Sequence, residues 1–415
     1  VTVITAILTS DNHLGANYAK FRPDRLELRR KRLRQAFEQV VDAAIERKAD
    51  LFLHAGDLFD RPDPRNDERR FVASQLRRLR EASIPVFAIA GNHDSPRSYG
   101  YGGGVVPQEE ADVLGGLRLF RDTAILQSEE VISRGQRVCI WGMSTDFNRP
   151  ADVCPLEGMT LERADPAALQ IVLLHYGVQG WMQTFGDENN EPLLFRCNLE
   201  RLPVDAICVG HLHRRMQTTL ENGALLINPG STEHMDFGEE SLECGFSLLR
   251  IERNRTEVEH IRIPTQRMQT LEFTLPSDLR DVLKVEQESE VAAQLMALYQ
   301  AEISAASHTD QLLRVRFSGQ IPRNLFHALD LMELQRLGSA ANFHCQVETD
   351  RITVFDPDSD LPLGYGVSFD VAEELQNIAN GQRGQYNGNP LQQELYDLAT
   401  NQIMSAFDRL TKGAR

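Results

Sequence analysis

Short apolar runs alternate with longer amphipathic stretches through the first part of the chain. Val3–Leu8, Leu51–Leu53, Val86–Ala90, Ile171–Leu174 and Ala206–Val209 have the length and aliphatic character of buried strands. Between the first two, Arg25–Lys48 places Leu33, Phe37, Val40, Val41, Ala44 and Ile45 on one helical face and charges on the other. A second helix is predicted near Asp67–Glu81. This β-α-β-α-β order predicts a layered α/β core. Val138–Trp141 is a further strand, and Tyr99–Gly104 reads as a flexible loop. Leu225–Asn228, Gly245–Glu252 and Thr256–Ile263 read as consecutive strands closing a second sheet, with a boundary at Pro264.

Beyond that proline the pattern changes. A helix (Glu290–Gln300), a strand (Leu312–Ser318), a helix (Arg323–Arg336) and two strands around Cys345 and Thr353 predict a small α+β domain. Gly381–Pro390 is linker-like. Leu391–Lys412 is amphipathic, a helix that either docks on its own domain or binds a partner. The expected organisation is therefore residues 1–264, 265–356 and 357–415.

Composition narrows the class. Apolar content of 41% and charged content of 25% are those of an ordinary globular protein. No stretch reaches the roughly 20 apolar residues a spanning helix needs, and the chain enters a strand pattern directly, without a basic-then-apolar leader. The expectation is a cytoplasmic protein without membrane association. Six cysteines lack any C-x-x-C pair and read as free thiols.

A net charge of −16 argues against coating nucleic acid by bulk electrostatics, but its distribution is uneven. Lys20–Arg34 holds eight basic residues against two acids and Arg61–Arg80 seven against three, whereas ten acids face five bases from Asp350 onward. The basic runs are either phosphate contacts or solvated helix faces.

The candidate chemistry sits where the apolar runs end. Asp11-Asn12-His13, Gly56-Asp57, Gly91-Asn92-His93-Asp94, His175-Tyr176 and Gly210-His211-Leu212-His213 each follow one of the five runs. Strand C-termini are where open α/β sheets bind ligands. Oxygen and imidazole donors without thiolate suit Mn, Fe or Zn. D-x-H and a lone His carry little information singly. GNHD and GHxH carry more, and the ordered set of five carries most.

In this set the chain resembles the calcineurin-like metallophosphoesterases. The form GDLFD at Gly56–Asp60 and the run NPGSTEHMDFGEE at Asn228–Glu240 are similar to the SbcD/Mre-type nucleases of DNA double-strand-break repair. The resemblance implies a two-sheet sandwich flanked by helices, with a smaller α+β cap and a C-terminal helical segment. It implies two divalent metal ions, Mn2+ by preference, one held by Asp11, His13, Asp57 and His213, the other by Asp57, Asn92, His175 and His211. His93 would protonate the leaving oxygen with Asp94 orienting it, and His54 would pack behind the ligands. The cap and Arg61, Arg65 and Arg97 would position backbone phosphates. The implied activity is a DNA exo/endonuclease, a homodimer acting with an SbcC-type SMC-like ATPase. Asn12 stands where an apolar residue is more usual. Two alternatives remain open at this point: a small-molecule phosphodiesterase or phosphatase, and a scaffold regulating an ATPase.

Overall fold

The computed structural model describes residues 2–18, 21–96, 106–146, 149–161, 165–181, 191–253, 255–283 and 287–356. The YGYGGG loop, Arg97, the GQRGQYNGNP segment and the expected terminal helix lie outside these residues. By compactness the chain divides into two units, Val1–Met268 and a second beginning at Gln269.

The first unit opens with β1 (Ile4–Thr9), α1 (Pro23–Glu46), β2 (Leu51–Ala55), α2 (Asn66–Glu81) and β3 (Val86–Ile89). Next come α3 (Gln108–Val113), β4 (Arg118–Phe120), β5 (Gln127–Ser133), β6 (Gln136–Gly142), β7 (Leu169–His175), β8 (Gly177–Val178) and β9 (Leu193–Leu194). A one-turn helix, α4 (Arg196–Leu199), precedes β10 (Ala206–Gly210), β11 (Met216–Thr219), β12 (Leu225–Asn228), β13 (Gly245–Glu252) and β14 (Arg255–Arg262).

Two six-stranded sheets result, in the orders β14-β13-β1-β2-β3-β4 and β11-β12-β10-β7-β6-β5. In the first, β1 to β4 are parallel and β13 joins β1 antiparallel. In the second, β6, β7, β10 and β12 are parallel, with antiparallel edges. The expectation that β12, β13 and β14 close one sheet is wrong. β12 belongs to the second sheet, and β13 and β14 return to the edge of the first. Alternation along β13 serves both of its faces: Leu249 and Ile251 enter the core between the sheets, while Phe246 and Leu248 pack under the helices.

Central strands are buried on both faces, which is why they read as unbroken apolar runs. Ile4, Ala6 and Leu8 of β1 meet Ile171 and Leu173 of β7 and Cys208 of β10 between the sheets, while Ile7 faces the helical layer. Pro23 sits in the first turn of α1, where its missing N–H costs nothing. Leu33, Phe37, Val40, Val41 and Ala44 then lie against the first sheet, each contributing ~1.5–3 kcal/mol of burial where the side chain is large. A third cluster covers the outer face of the second sheet through Val172, Leu174, Ile207 and Val209.

The second unit is a three-stranded sheet, β15 (Met268–Thr274), β16 (Leu312–Pro322) and β17 (His344–Phe355), with α5 (Leu279–Val282), α6 (Glu288–Ala306), α7 (Arg323–Ala328) and α8 (Leu331–Ala341). The single helix expected over Arg323–Arg336 is two, because the chain turns at Leu329 and Asp330 caps α8 by accepting from Glu333 N–H at 2.9 Å. The two strands expected around Cys345 and Thr353 are one strand with a register shift opposite Arg316 and Ser318. All six cysteines are free. No helix among the described residues is long and apolar enough to cross a membrane.

Candidate active site

The first sheet delivers Asp11 and His13 after β1, Asp57 after β2, and Asn92 and His93 after β3. The second delivers His175 at the end of β7, and His211 and His213 after β10. The loops after β1 and β2 continue their ladder past the strands: Asp11 N–H donates to Gly56 O, and Asn12 and His13 N–H to Asp57 O. To do so the backbone takes positive φ at Asp11, His13 and Asp57, and His211 adopts it too. Four non-glycine residues in that region at one place are strain concentrated at a functional site.

The glycines of the motifs have a steric cause. A Cβ on Gly91 would lie 2.3 Å from Asp57 Oδ1, and one on Gly210 would lie 2.2 Å from Ala55 O and 2.6 Å from His175 Nδ1. The G of GNHD and the G of GHxH are therefore the spaces into which Asp57 and His175 fit.

Asp57 is the centre. Its Oδ1 accepts from His93 N–H at 2.8 Å, and its Oδ2 lies 3.3 Å from His175 Nε2 and 3.8 Å from His13 Nε2. Asn92 Oδ1 is 2.9 Å from His175 Nε2 and 3.1 Å from His211 Nδ1, and His13 and His213 bring their Nε2 atoms to 3.0 Å. Asp11 receives His211 N–H on both carboxylate oxygens, at 3.1 and 3.2 Å. Three groups have donor atoms within 4.8 Å of one another: Asp11 with His13 and His213, His13 with Asp57 and His93, and Asp11 with Asp57 and His175. The third crosses the two ligand sets implied by the resemblance.

Several rings are held from outside. His175 Nδ1 bonds Ala55 O at 2.7 Å, His213 Nδ1 meets Glu239 at 2.5 Å, and His211 Nε2 meets Glu191 at 2.9 Å. Each of these three histidines thus turns its remaining nitrogen inward, the arrangement that orients metal-ligating imidazoles. Glu239 and Glu191 belong to no ligand motif and were not anticipated. Only Glu239, inside the NPGSTEHMDFGEE run, stood in a stretch the sequence had marked.

Electrostatics agree with this donor set. Burial opposes ionisation of Asp57, yet His175, and then His13 and His93, hold its carboxyl far below the usual range. Burial also opposes the charged form of His175, but the Asp57 carboxylate raises it to about 9. For His213 burial is again outweighed, first by Glu239 and then by Asp11, giving about 9. The positive charge that buried Asp11 and Asp57 call for falls here on these imidazoles, since among the described residues no lysine or arginine pairs with either carboxylate. Oxygen and imidazole donors so arranged fit divalent transition-metal ions. His54 is different: burial, then the neighbouring His175, lowers it to about 3, and as a neutral ring its Nε2 lies 2.7 Å from Asn12 Oδ1. It supports the loop, as expected.

His93 stands apart from its buried neighbours, with 40% of its side chain exposed. The expectation that Asp94 orients it is overturned. Asp94 is fully buried and turned away, its carboxylate accepting the N–H groups of Leu58, Phe59 and Gly91. The partner of His93 is Asp60, whose carbonyl lies 3.2 Å and carboxylate 3.6 Å from Nδ1. That hydrogen-bonding partner is the main cause raising His93 above its ordinary value. Burial works against ionisation of Asp60, but bonds to His13 and His93 bring it to about 2.

The basic runs are largely neutralised within the fold. Arg34 pairs with Glu27 and Glu68, Arg69 with Glu110, Arg77 with Glu81 and Arg78 with Asp42. Arg65 is engaged by Glu27 at 3.0 Å, while Arg61 is exposed in the loop that follows Asp60.

The family model described as Calcineurin-like phosphoesterase matches residues 4–215. The chain is 30% identical over 236 residues to the DNA double-strand break repair protein Mre11 of Sulfolobus acidocaldarius, covering 56% of this chain and 55% of that protein. It is 29% identical over 229 residues to the Mre11 protein of Methanocaldococcus jannaschii, covering 54% and 55%. It is 27% identical over 215 residues to the uncharacterized metallophosphoesterase YhaO of Bacillus subtilis, covering 51% and 48%. The chain spans about half the length of these relatives. With strand-end motifs, inward-turned histidines and a family match over half its length, the chain belongs to the calcineurin-like phosphoesterase family.

Proposed function

We propose that this protein is a metal-dependent DNA exo/endonuclease, the nuclease subunit of a double-strand-break repair assembly. The observation that carries this reading is the single cluster made by Asp11, His13, Asp57, Asn92, His175, His211 and His213 beside the half-exposed His93. The Mre11 relatives, which are DNA double-strand break repair proteins, suggest the substrate class.

Asp11, His13, Asp57 and His213 would hold one divalent ion and Asp57, Asn92, His175 and His211 a second, with Mn2+ the preferred metal. Asp57 suits the shared role because His13 and His175 approach the same Oδ2. Bound ions supply an activated water and neutralise charge on the phosphate. The remaining chemistry belongs to the chain. His93, whose protonated form Asp60 favours, donates a proton to the leaving 3′ or 5′ oxygen at the solvent face of the site. Arg61, and Arg97 beyond the described residues, would meet backbone phosphates. Residues 265–356 would act as a DNA-contacting cap, and 357–415 as the binding segment for an SbcC-type SMC-like ATPase, in a homodimeric assembly.

The test is digestion of end-labelled linear duplex and single-stranded DNA in Mn2+, with EDTA, Asp57→Ala and His93→Ala beside the unaltered protein. Cutting should require metal and Asp57, and His93→Ala should lose activity with metal still bound. Hydrolysis of bis-(p-nitrophenyl) phosphate without cutting of either DNA, with or without a coexpressed SMC-like ATPase, would sink the nuclease assignment.

A further inference from the structure

The run Asn228–Glu240 contributes no metal donor, yet it wraps His213. Asn228 Nδ2 donates to Leu212 O at 2.5 Å and to Arg214 O at 2.8 Å, one residue to either side of His213. Ser231 N–H donates to His213 O at 3.0 Å. Gly230, at φ +81°, passes so close that a Cβ would lie 2.8 Å from that same carbonyl. Backbone and ring are gripped by one segment, since Glu239 reaches His213 Nδ1 at 2.5 Å while its second oxygen accepts Met235 N–H at 2.7 Å.

The segment is itself anchored. Arg29 of α1, fully buried, places NH1 3.2 Å from Glu233 and 3.1 Å from Gln266 Oε1, and donates to His234 O through NH2. Glu233 also accepts from His234 N–H at 2.9 Å and Gln266 N–H at 3.2 Å. A buried charge paired on this many sides fixes its surroundings, because removing any partner strands the others. Thr232 adds a link to the opposite side of the site by accepting from Asn12 Nδ2 at 3.0 Å.

We propose that Glu239 is the positioning residue of the metal centre, held on the Arg29–Glu233 anchor so that His213 keeps Nε2 directed at Asp11 and His13. A carboxylate at Nδ1 selects the tautomer with the proton on that nitrogen and leaves the Nε2 lone pair for an ion. Its second oxygen is occupied by Met235 N–H, so the carboxylate cannot swing away without leaving a donor unpaired. This inference rests on the reading of His213 as a metal ligand, and the test separates the two.

The experiment is calorimetric titration of the 415-residue chain with Mn2+ alone, comparing Glu239→Ala, Glu239→Gln and His213→Ala, with metal-free melting curves of each. Glu239→Ala should weaken Mn2+ binding by about 10- to 100-fold, the usual effect of removing such a partner. Glu239→Gln should weaken it less, because the amide carbonyl still accepts from Nδ1–H. Metal-free melting of the Gln variant should fall slightly, because its amide nitrogen cannot accept Met235 N–H, and by less than that of the Ala variant. Unaltered Mn2+ affinity in both Glu239 variants, with His213→Ala impaired, overturns the inference. Unaltered affinity in His213→Ala overturns the ligand reading, and the role of Glu239 with it.

Discussion

Replacing Gly91 by alanine probes a tight contact in the site. The position has no positive φ, so alanine meets no backbone objection and the effect is purely steric. The new Cβ would lie 2.3 Å from Asp57 Oδ1, 2.6 Å from Asp57 N and 2.7 Å from His175 Nε2, where ordinary contact begins at 3.4 Å. Asp57 must retreat by about 1 Å to restore contact distance. Rotation alone cannot supply this, because Oδ1 is tied to His93 N–H at 2.8 Å and the crowded atoms include the Asp57 backbone nitrogen. A misplacement of about 1 Å in a reacting constellation costs on the order of 100-fold in rate. Overpacking costs ~1–3 kcal/mol in stability, a fall of several degrees in Tm but not loss of the fold. The assay is hydrolysis of bis-(p-nitrophenyl) phosphate in Mn2+, with Mn2+ titration and circular-dichroism melting. Gly116→Ala serves as control, since its Cβ would meet nothing nearer than 3.3 Å. A Gly91→Ala protein that binds Mn2+ and turns over like the unaltered one would refute the steric account of the motif.

Two further perturbations test other parts of the structure. Asp60→Asn should reduce turnover by about 10- to 100-fold through the proposed acid His93, and should also weaken Mn2+ binding because Asp60 meets His13 Nδ1 at 3.5 Å. Asp60 raises the pKa of His93, so its loss should move the alkaline limb of the pH–rate profile to lower pH, and an unmoved limb would count against the His93–Asp60 pairing. Asp50 accepts from Thr5 N–H and Oγ1, Ser133 Oγ and Arg134 Nε, tying β1 of one sheet to the β5–β6 hairpin of the other. Burial would raise Asp50, but these bonds hold it below its ordinary value. Its stabilisation is therefore present above the unfolded carboxylate pKa of about 3.9 and fades as pH falls through the lower folded value. Asp50→Asn should lower Tm at pH 7, and the gap should close in acid. A gap that persists unchanged at pH 3 would contradict this.

The cluster of candidate donors was legible because each one sits at the end of a strand whose buried run is itself a strong signal. What the spacing could not convey is direction. Asp94 adjoins His93 in sequence, yet the tight turn there sends its carboxylate into three backbone N–H groups. Asp60, thirty-three positions earlier, is the residue that faces the imidazole. Glu191 and Glu239 escaped for a related reason: an outer partner needs only to reach one ring nitrogen, so no fixed spacing marks it. The sheet membership of β13 was hidden because a strand buried on both faces reads the same in either sheet, and β14 follows it as the neighbouring edge strand. The basic runs left two readings open in the sequence. Their arginines alternate with acids on neighbouring helices, and only the tertiary pairing shows how much of that charge is consumed.

The donors come from both layers of the sandwich: Asp11 and His13 from one sheet meet His213 from the other, and Asp57 meets His175 in the same way. Neither sheet holds a competent set alone. Closing the centre joins residues about two hundred positions apart, which places it late among the contacts a folding chain can form. A nascent or half-docked chain would therefore be catalytically silent, since it would lack the geometry before it lacked the metal. Conversely, ions that bind only the docked arrangement would draw the two layers together by mass action. Chelation should thus loosen the sandwich as well as stop the chemistry, so that catalytic competence and completion of folding become one event.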